Sequence, residues 1–586
     1  MQRSLKIWIV LLFCTFVIAE ELELPTHEIH FTGQKHFEES DLQDALGVDA
    51  ASFWQFWKDD TPRLKDKLRP TLELSLESFY RSEGFYDTNI TIKEDNASIS
   101  VAISENEPVR VRDINITSDF DLKDLVILEK DSIFRVETFT SIKSSIITQL
   151  LKEGYCSYDL DAKAYVDLDK HIVDFHYKLT KGGICTFGKL TTSGLQTIDN
   201  DVVLSRVRAL EGERFSTELV QETSNNLYKL TAFDSVLISV DRKFYNVVPV
   251  DIQFKEMKKP YHTEIGLGFD TYVGARVHGN FVKNNFLGQA QKLKLQLAWS
   301  QKEQLARLDF FKPAVLNLFG FYIDLGGNLG YSNLEYDGFK EEMEFSRGYL
   351  EYNDGQLRLR GGLAVENIKI DALDNLKDGE DLEHAVNEGI FLLTYSYVDF
   401  VYDARDSKLN PKFGYYLAAY GEFGNSSDEE SSLYHKTQYE GRLIYTIANL
   451  TLSTVGKVGV VEAASEDGLP ESKYFFAGGA YSNRAYGFRE LGVILSPTED
   501  TINGASTMAN LSLEMNYPVW GDVYGAVFTD NTMLTDESYN FEGEIITSAG
   551  LGVRYMTPIG PFKVDVGFNV HDPSQYGISF QIGQSF

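Results

Sequence analysis

At 586 residues the chain is too long for a single hydrophobic core, so several domains are expected. Its formal net charge of −32 would repel phosphate backbones, which argues against a nucleic-acid partner and suits exposed domains and loops. Gly outnumbers Pro 46 to 14, a balance that fits many short strands joined by turns.

The chain opens with the features of an export signal. Arg3 and Lys6 form a basic start, Ile7 to Ile18 an apolar run of signal-peptide length, and Val17-Ile18-Ala19 a cleavage site that makes Glu20 the first mature residue. Residues 1–19 are therefore assigned to the signal. Cys14 follows Phe13 rather than a small residue, which argues against a lipoprotein site. No later run reaches about 18 consecutive apolar residues, so a membrane-embedded form of this chain would have to cross as a closed barrel.

The mature chain keeps Cys156 and Cys185 in an exported, oxidising setting. Two alternating runs between them meet near Asp169-Lys170, and a hairpin there would bring the two cysteines to one end as a candidate disulfide. The alternative is a pair of small buried thiols. Two cysteines are too few for a zinc site.

From Thr26 to about Lys259, helical and strand patterns alternate in three superimposable units, each strand-helix-helix-strand-strand. They open at Glu28-Ile29-His30-Phe31, Arg112-Asp113-Ile114-Asn115 and Phe187-Gly188-Lys189-Leu190. In each, the second helix ends in a similar phrase: Gly84-Phe85-Tyr86, Gly154-Tyr155 and Ala232-Phe233, with Ala232 standing in the glycine place of the third. Glycine is the expected helix stop, and the aromatic after it can pack back on the helix. A hairpin follows each phrase. The open edges of such small sheets can accept an incoming strand through main-chain hydrogen bonds. Phe53-Trp54-Gln55-Phe56-Trp57 reads as core or interdomain packing.

From about Tyr261 the helical period disappears and period-2 alternation runs to the last residue. Leu293, Leu295, Leu297 and Trp299 share one parity against Lys292, Lys294 and Gln296. Leu511, Leu513, Met515 and Tyr517 stand against Ser512, Glu514 and Asn516, and Lys563, Asp565 and Asn569 occupy the polar face of a later strand. Apolar-out, polar-in strands of about ten residues mark an outer-membrane barrel, and the span accommodates ~16 of them, an even number as such barrels require. The acidic stretch from Ile368 to Gly389 lacks alternation and is expected to be an external loop. Phe475 to Phe488 is too Gly-rich for a helix and reads as a structured loop carrying one arginine, Arg484.

These phrases together resemble the Omp85 superfamily of outer-membrane assembly and transport proteins. Asn284-Asn285-Phe286-Leu287-Gly288 is similar to its early barrel phrase, and Asp403-Ala404-Arg405-Asp406 to its mid-barrel phrase. Gly478, Gly479, Arg484, Ala485 and Tyr486 resemble its sixth-loop motif, and Phe528 and Asp530 the strand that receives that loop. Gly550 to Tyr555, Thr557 to Pro561 and Phe580 to Phe586 are similar to the last two strands. Ala485 departs from the usual Gly after the Arg, and Thr532 stands where a Gly is usual.

The resemblance implies an α+β array of POTRA domains followed by an all-β transmembrane barrel of ~16 antiparallel strands. The domains would be residues 26–106, 107–182 and 183–259, with the barrel over 260–586. Three POTRA domains before such a barrel are similar to the TamA type, the outer-membrane subunit of a translocation and assembly module. The implied function is assembly and insertion of unfolded outer-membrane β-barrel or autotransporter clients, in the outer membrane of a Gram-negative bacterium with the POTRA domains in the periplasm. The implied partners are those clients, the lipid bilayer and a TamB-like inner-membrane-anchored protein on the first domain. Arg484 would pair with Asp530 inside the lumen. A seam between the first and last strands, with Gly266 and Gly268 on one side and Gly577, Gly583 and Phe586 on the other, would be weak and open sideways. The competing class is a passive transport pore of the two-partner-secretion kind. An enzyme is not expected: His-Glu-x-x-His, a phosphate loop and Gly-x-Ser-x-Gly are all missing from the sequence, and no cofactor or metal is implied.

Overall fold

The computed structural model describes residues 26–48, 62–95, 98–240, 246–270, 274–336, 339–372, 387–427, 431–465, 468–493, 503–557 and 560–582. The signal segment, the aromatic cluster at 53–57, and Gly583 and Phe586 lie outside them. By contact density the chain forms two compact units. One holds the residues up to Lys189 with Ala209–Leu219 and Val240–Pro249; the other holds Leu190–Arg208, Val220–Ser239 and Val250–Phe586.

The first half contains three POTRA-like α/β sheets. The first is built from β1 (Thr26–Thr32), α1 (Glu39–Ala45), β2 (Arg63–Lys65), α2 (Leu72–Ser82), β3 (Asn89–Glu94) and β4 (Ser98–Ser104), in strand order β2-β1-β4-β3. The second has β5 (Arg110–Ser118), α3 (Val136–Lys152), β6 (Asp159–Asp167) and β7 (Ile172–Thr180), in order β5-β7-β6. The third has β8 (Thr186–Ser193), α4 (Asn200–Leu204), α5 (Thr217–Lys229), β9 (Phe233–Val240) and β10 (Val247–Glu256), in order β8-β10-β9. The last strand of each takes the inner place beside the first. This pairing is parallel for β1 with β4 and for β5 with β7.

Leu72, Leu76 and Tyr80 line the buried face of α2, and Ile142, Ile146 and Leu150 that of α3, the four-residue spacing that places side chains on one helix face. Both helices stop as their glycines suggest. Gly84 (φ 94°) and Gly154 (φ 84°) are left-handed, and Phe85 N–H donates to the Tyr80 carbonyl as Tyr155 N–H does to that of Leu150. In the third unit the left-handed residue is Thr231 (φ 52°), one place earlier, which leaves Ala232 free of that constraint. The helix expected first in the second unit does not form. Residues 119–135 form turns, with Val126 N–H donating to the Leu122 carbonyl in one isolated turn, and Leu122 packed into the core.

A hydrogen bond recurs after each unit. Val109 N–H donates to Gly84 O, Cys185 N–H to Gly154 O, and Met257 N–H to Ala232 O, each at 2.9 Å. Cys156 and Cys185 are joined as a disulfide, with Cα atoms 5.9 Å apart, at the second of these positions.

The second half is one antiparallel sheet of sixteen strands in sequence order. They are β11 (Tyr261–Asp270), β12 (Gly274–Lys283), β13 (Lys292–Trp299), β14 (Glu303–Leu318), β15 (Phe321–Glu335), β16 (Phe339–Asn353), β17 (Leu357–Ala372), β18 (Gly389–Asp403), β19 (Gly414–Ser427), β20 (Ser431–Ile447), β21 (Leu450–Ala463), β22 (Thr507–Trp520), β23 (Val523–Thr535), β24 (Ile545–Tyr555), β25 (Phe562–Asn569) and β26 (Tyr576–Ile582). The usual burial rule is inverted here. Leu511, Leu513, Met515 and Tyr517 are exposed on the outer face of β22, while Asn510, Ser512, Glu514 and Asn516 between them are buried. The stretch from Ile368 is not loop at its start: β17 continues to Ala372. Ile368 and Ile370 turn inward onto Phe391 and Leu393 of β18, which makes the lumen face of these two strands locally apolar. Among the described residues the hydrogen-bonded order begins at β11 and ends at β26, with no ladder joining the two.

Candidate functional site

The long connection between β21 and β22 folds back into the space enclosed by the sheet. Its two limbs bridge each other at Phe475 with Ala505, Ala477 with Leu491, and Val493 with Asn503. Phe475 and Leu469 pack into the apolar cluster with Ile368, Ile370, Phe391 and Leu393, which gives those inward-facing side chains a partner. The turn at the tip needs both of its glycines. Gly478 and Gly479 have φ of 104° and 82°, and a Cβ on Gly478 would lie 2.2 Å from the Gly487 carbonyl oxygen. Ser482 Oγ closes the turn, accepting from Gly478 N–H at 2.8 Å and donating to its carbonyl at 2.9 Å.

That turn aims Arg484 at the wall. Its Nε and Nη2 each donate to Asp530 of β23 at 2.9 Å, and its backbone N–H donates to the same carboxylate at 3.0 Å. Nη1 donates to Glu514 of β22 at 2.6 Å and lies 3.6 Å from Asp565 of β25. Arg554 of β24 completes the ring, meeting Glu514 at 3.0 Å and Asp565 at 2.6 Å. With Lys563 beside them, the group holds three cations and three carboxylates, all with less than 5% exposure. The guanidinium carbon sits 3.3 Å from the centre of the Phe528 ring, so the cation is covered on one face by an aromatic and ringed at its edge by acceptors. Removing one member of such a buried, hydrogen-bonded set strands the others, at a cost of about 3–5 kcal/mol.

The rest of the tip is held through both main chain and side chains. Asn510 Nδ2 donates to Ser482 O at 3.1 Å, Lys457 Nζ to Tyr481 O at 2.9 Å, and Gln575 Nε2 to Ala485 O at 3.2 Å. Asn483, fully buried, donates to Ile546 O at 3.2 Å and to Thr532 Oγ1 at 3.4 Å. Tyr486 OH accepts from Asn569 at 2.6 Å. Ala485 is fully buried and is not among the positive-φ residues, so its methyl is housed without backbone strain. Thr532, in the other atypical place, uses its hydroxyl to hold Asn483 and Asn510.

The seam glycines occupy different surroundings. Gly266 of β11 pairs with His278, whose ring fills the place where a Cβ would sit, and Gly268 pairs with Arg276. Gly577 pairs with Gly567 of β25, and both lie under the loop. A Cβ on Gly577 would meet the Arg484 carbonyl oxygen at 2.5 Å, and one on Gly567 the Arg484 carbonyl carbon at 2.7 Å. Sequence reasoning placed Glu514, Lys563 and Asp565 on the polar face without linking them to Arg484, and did not single out Arg554. Strand parity was the available signal, because parity assigns a face but not the neighbour a distant loop brings to it.

A model described as the Omp85 superfamily domain matches residues 285–586. Over 605 residues the chain is 23% identical to the outer membrane protein assembly factor BamA of Nitratidesulfovibrio vulgaris, spanning 97% of this chain and 74% of that one. It is 19% identical over 634 residues to BamA of Neisseria meningitidis serogroup B, spanning 95% and 78%. The crystal structure of BamA from Haemophilus ducreyi lacking POTRA domains 1–3 superposes with a TM-score of 0.54 at 17% identity, covering 81% of this chain and all of that one, which is a likeness of fold. These relatives carry the name BamA, whereas the count of three units pointed toward TamA.

Proposed function

The chain belongs to the Omp85 superfamily, and from that premise we propose that it is an assembly factor of the Gram-negative outer membrane, which helps client β-barrel proteins fold and insert. The observation that carries the reading is the lumen loop: a buried arginine fixed on three strands beside a sheet whose first and last described strands share no ladder. An unladdered strand edge can template an incoming strand through main-chain hydrogen bonds, with little demand on client sequence. No bond chemistry is called for; client folding supplies the driving force. The passive-pore reading is disfavoured by the loop, which fills the lumen beside β22 to β26 with ion pairs and hydrogen bonds. The narrower assignment to the TamA type, with autotransporter clients and a TamB-like partner on the first unit, rests on the three-unit count.

The test is assembly in liposomes. A urea-unfolded outer-membrane barrel should fold faster with the reconstituted protein than in empty liposomes, and Arg484→Ala should remove most of that gain while making the loop protease-sensitive. No acceleration, together with steady ion conductance, would replace this reading with the transport pore.

A further inference from the structure

The loop is pinned at a second place that no motif marked. Lys473, at the end of the 3-10 turn Glu471–Lys473, places its ammonium 2.9 Å from Glu366 of β17 and 3.3 Å from Glu422 of β19. Both carboxylates are buried, at 1% and 5% exposure. Glu366 is also held by Arg347 of β16 at 2.5 Å and by the Tyr395 hydroxyl of β18 at 2.5 Å; Glu422 accepts from Tyr420 at 2.6 Å. The main chain is gripped as well, since Lys436 of β20 donates to the Lys473 carbonyl at 2.5 Å. Five consecutive strands, β16 to β20, thus supply this anchor.

Position in the sheet gives the anchor its meaning. β17 and β19 are the seventh and ninth of the sixteen strands, halfway from either end, whereas the tip of the same loop lies on Gly567 of β25 and Gly577 of β26 at the end of the order. The loop therefore joins the middle of the sheet to its last strand across the lumen. We propose that Lys473 is a positioning residue which, with Arg484, makes the loop a brace, so that the distance between β26 and β11 can widen only after one anchor lets go. This deepens the assembly reading and rests on it for its functional sense, but the brace itself can be measured without a client.

The experiment uses the full chain in liposomes, with spin labels on cysteines at the lipid-facing positions Ile265 of β11 and Ile578 of β26, and reads the distance distribution between them. Lys473→Met should shift that distribution to longer values with loss of the wild-type peak, and Lys473→Arg should keep the peak. Because Lys473→Met strands a buried carboxylate, Lys473→Met with Glu422→Gln serves as the second variant and should shift in the same way. An unchanged distribution in the double variant would overturn the proposal, as would an equal shift in Lys473→Arg. Client folding is followed in parallel. No acceleration of client folding by the wild-type protein would remove the assembly reading while a shifted distribution left the brace standing; altered client folding with an unmoved distribution would remove the brace alone.

Discussion

Arg484 and Glu105 are both buried charges, stabilised by different means. Arg484 is met by carboxylates, so its environment is one of formal charges. Glu105, 4% exposed at the end of β4, is met by donors: Lys35 N–H at 2.9 Å, His36 N–H at 3.2 Å, the His36 ring at 2.7 Å and the Tyr80 hydroxyl at 3.3 Å. Burial alone would raise the pKa of this carboxyl; the His36 ring and the two backbone N–H groups outweigh burial and hold it below the ordinary glutamate value. The sign follows from linkage. Protons bind the unfolded chain more tightly, so this stabilisation is full above the ordinary glutamate range and is lost as the pH falls through it toward the lowered folded value. We expect Glu105→Gln to cost about 1–3 kcal/mol at neutral pH and to flatten the acid sensitivity of the first unit, read by hydrogen exchange over residues 26–106 after correction for intrinsic rates. An acid slope equal to that of the native chain would assign the sensitivity to other groups.

At the scale of elements, the recurring parts were the most legible and their substitutes the least. Alternation marked the barrel strands because a membrane inverts burial without altering the period. The helix-stop glycines were equally plain. The shift to Thr231 was hidden, since a left-handed threonine is fixed by its surroundings and not by its own preference. The non-helical stretch at 119–135 was hidden for a related reason: a core can accept Leu122 from a turn as readily as from a helix. A second repeated device became visible only in three dimensions. Gly33 (φ 92°) and Gly194 (φ 87°) follow β1 and β8, and a Cβ on either would meet the carbonyl oxygen of Ile103 or Phe254 at 2.2 or 2.1 Å. Gly33→Ala should therefore destabilise the first unit by about 1–3 kcal/mol, seen as faster exchange of β1 and β4 amides, with the barrel strands unaffected. Unaltered protection of β1 would show that the neighbouring strand gives way cheaply.

For the molecule as a whole, the structure divides its charges by role. Most of those in the first two units face solvent or cap loops; many of those on the barrel strands are turned inward and paired, leaving Leu, Phe, Tyr and Trp on the outer surface. The sequence identified Arg484 and Asp530 because both lie in recognisable phrases. It could not identify Lys473, whose partners Glu366 and Glu422 are ordinary polar-face residues more than fifty positions away. The disulfide is likewise a matter of the whole array, since it closes a separation of 29 residues at the joint following the second unit. Replacing both Cys156 and Cys185 by Ser should cost about 3 kcal/mol and speed proteolysis at that joint. Unchanged cleavage would mean that the Cys185-to-Gly154 hydrogen bond holds the joint without help.

The two anchors of the lumen loop also differ in when they can exist. Every strand that grips Lys473 precedes it in the chain, so this contact can form as soon as the loop itself is made. Every strand residue in the charge ring around Arg484, from Glu514 to Asp565, follows it, as do the glycines beneath the tip. For a chain that builds its barrel from the N-terminal side, the loop is thus tethered first and enclosed afterwards. The strands β22 to β25 then bring their carboxylates to an arginine already waiting in the lumen.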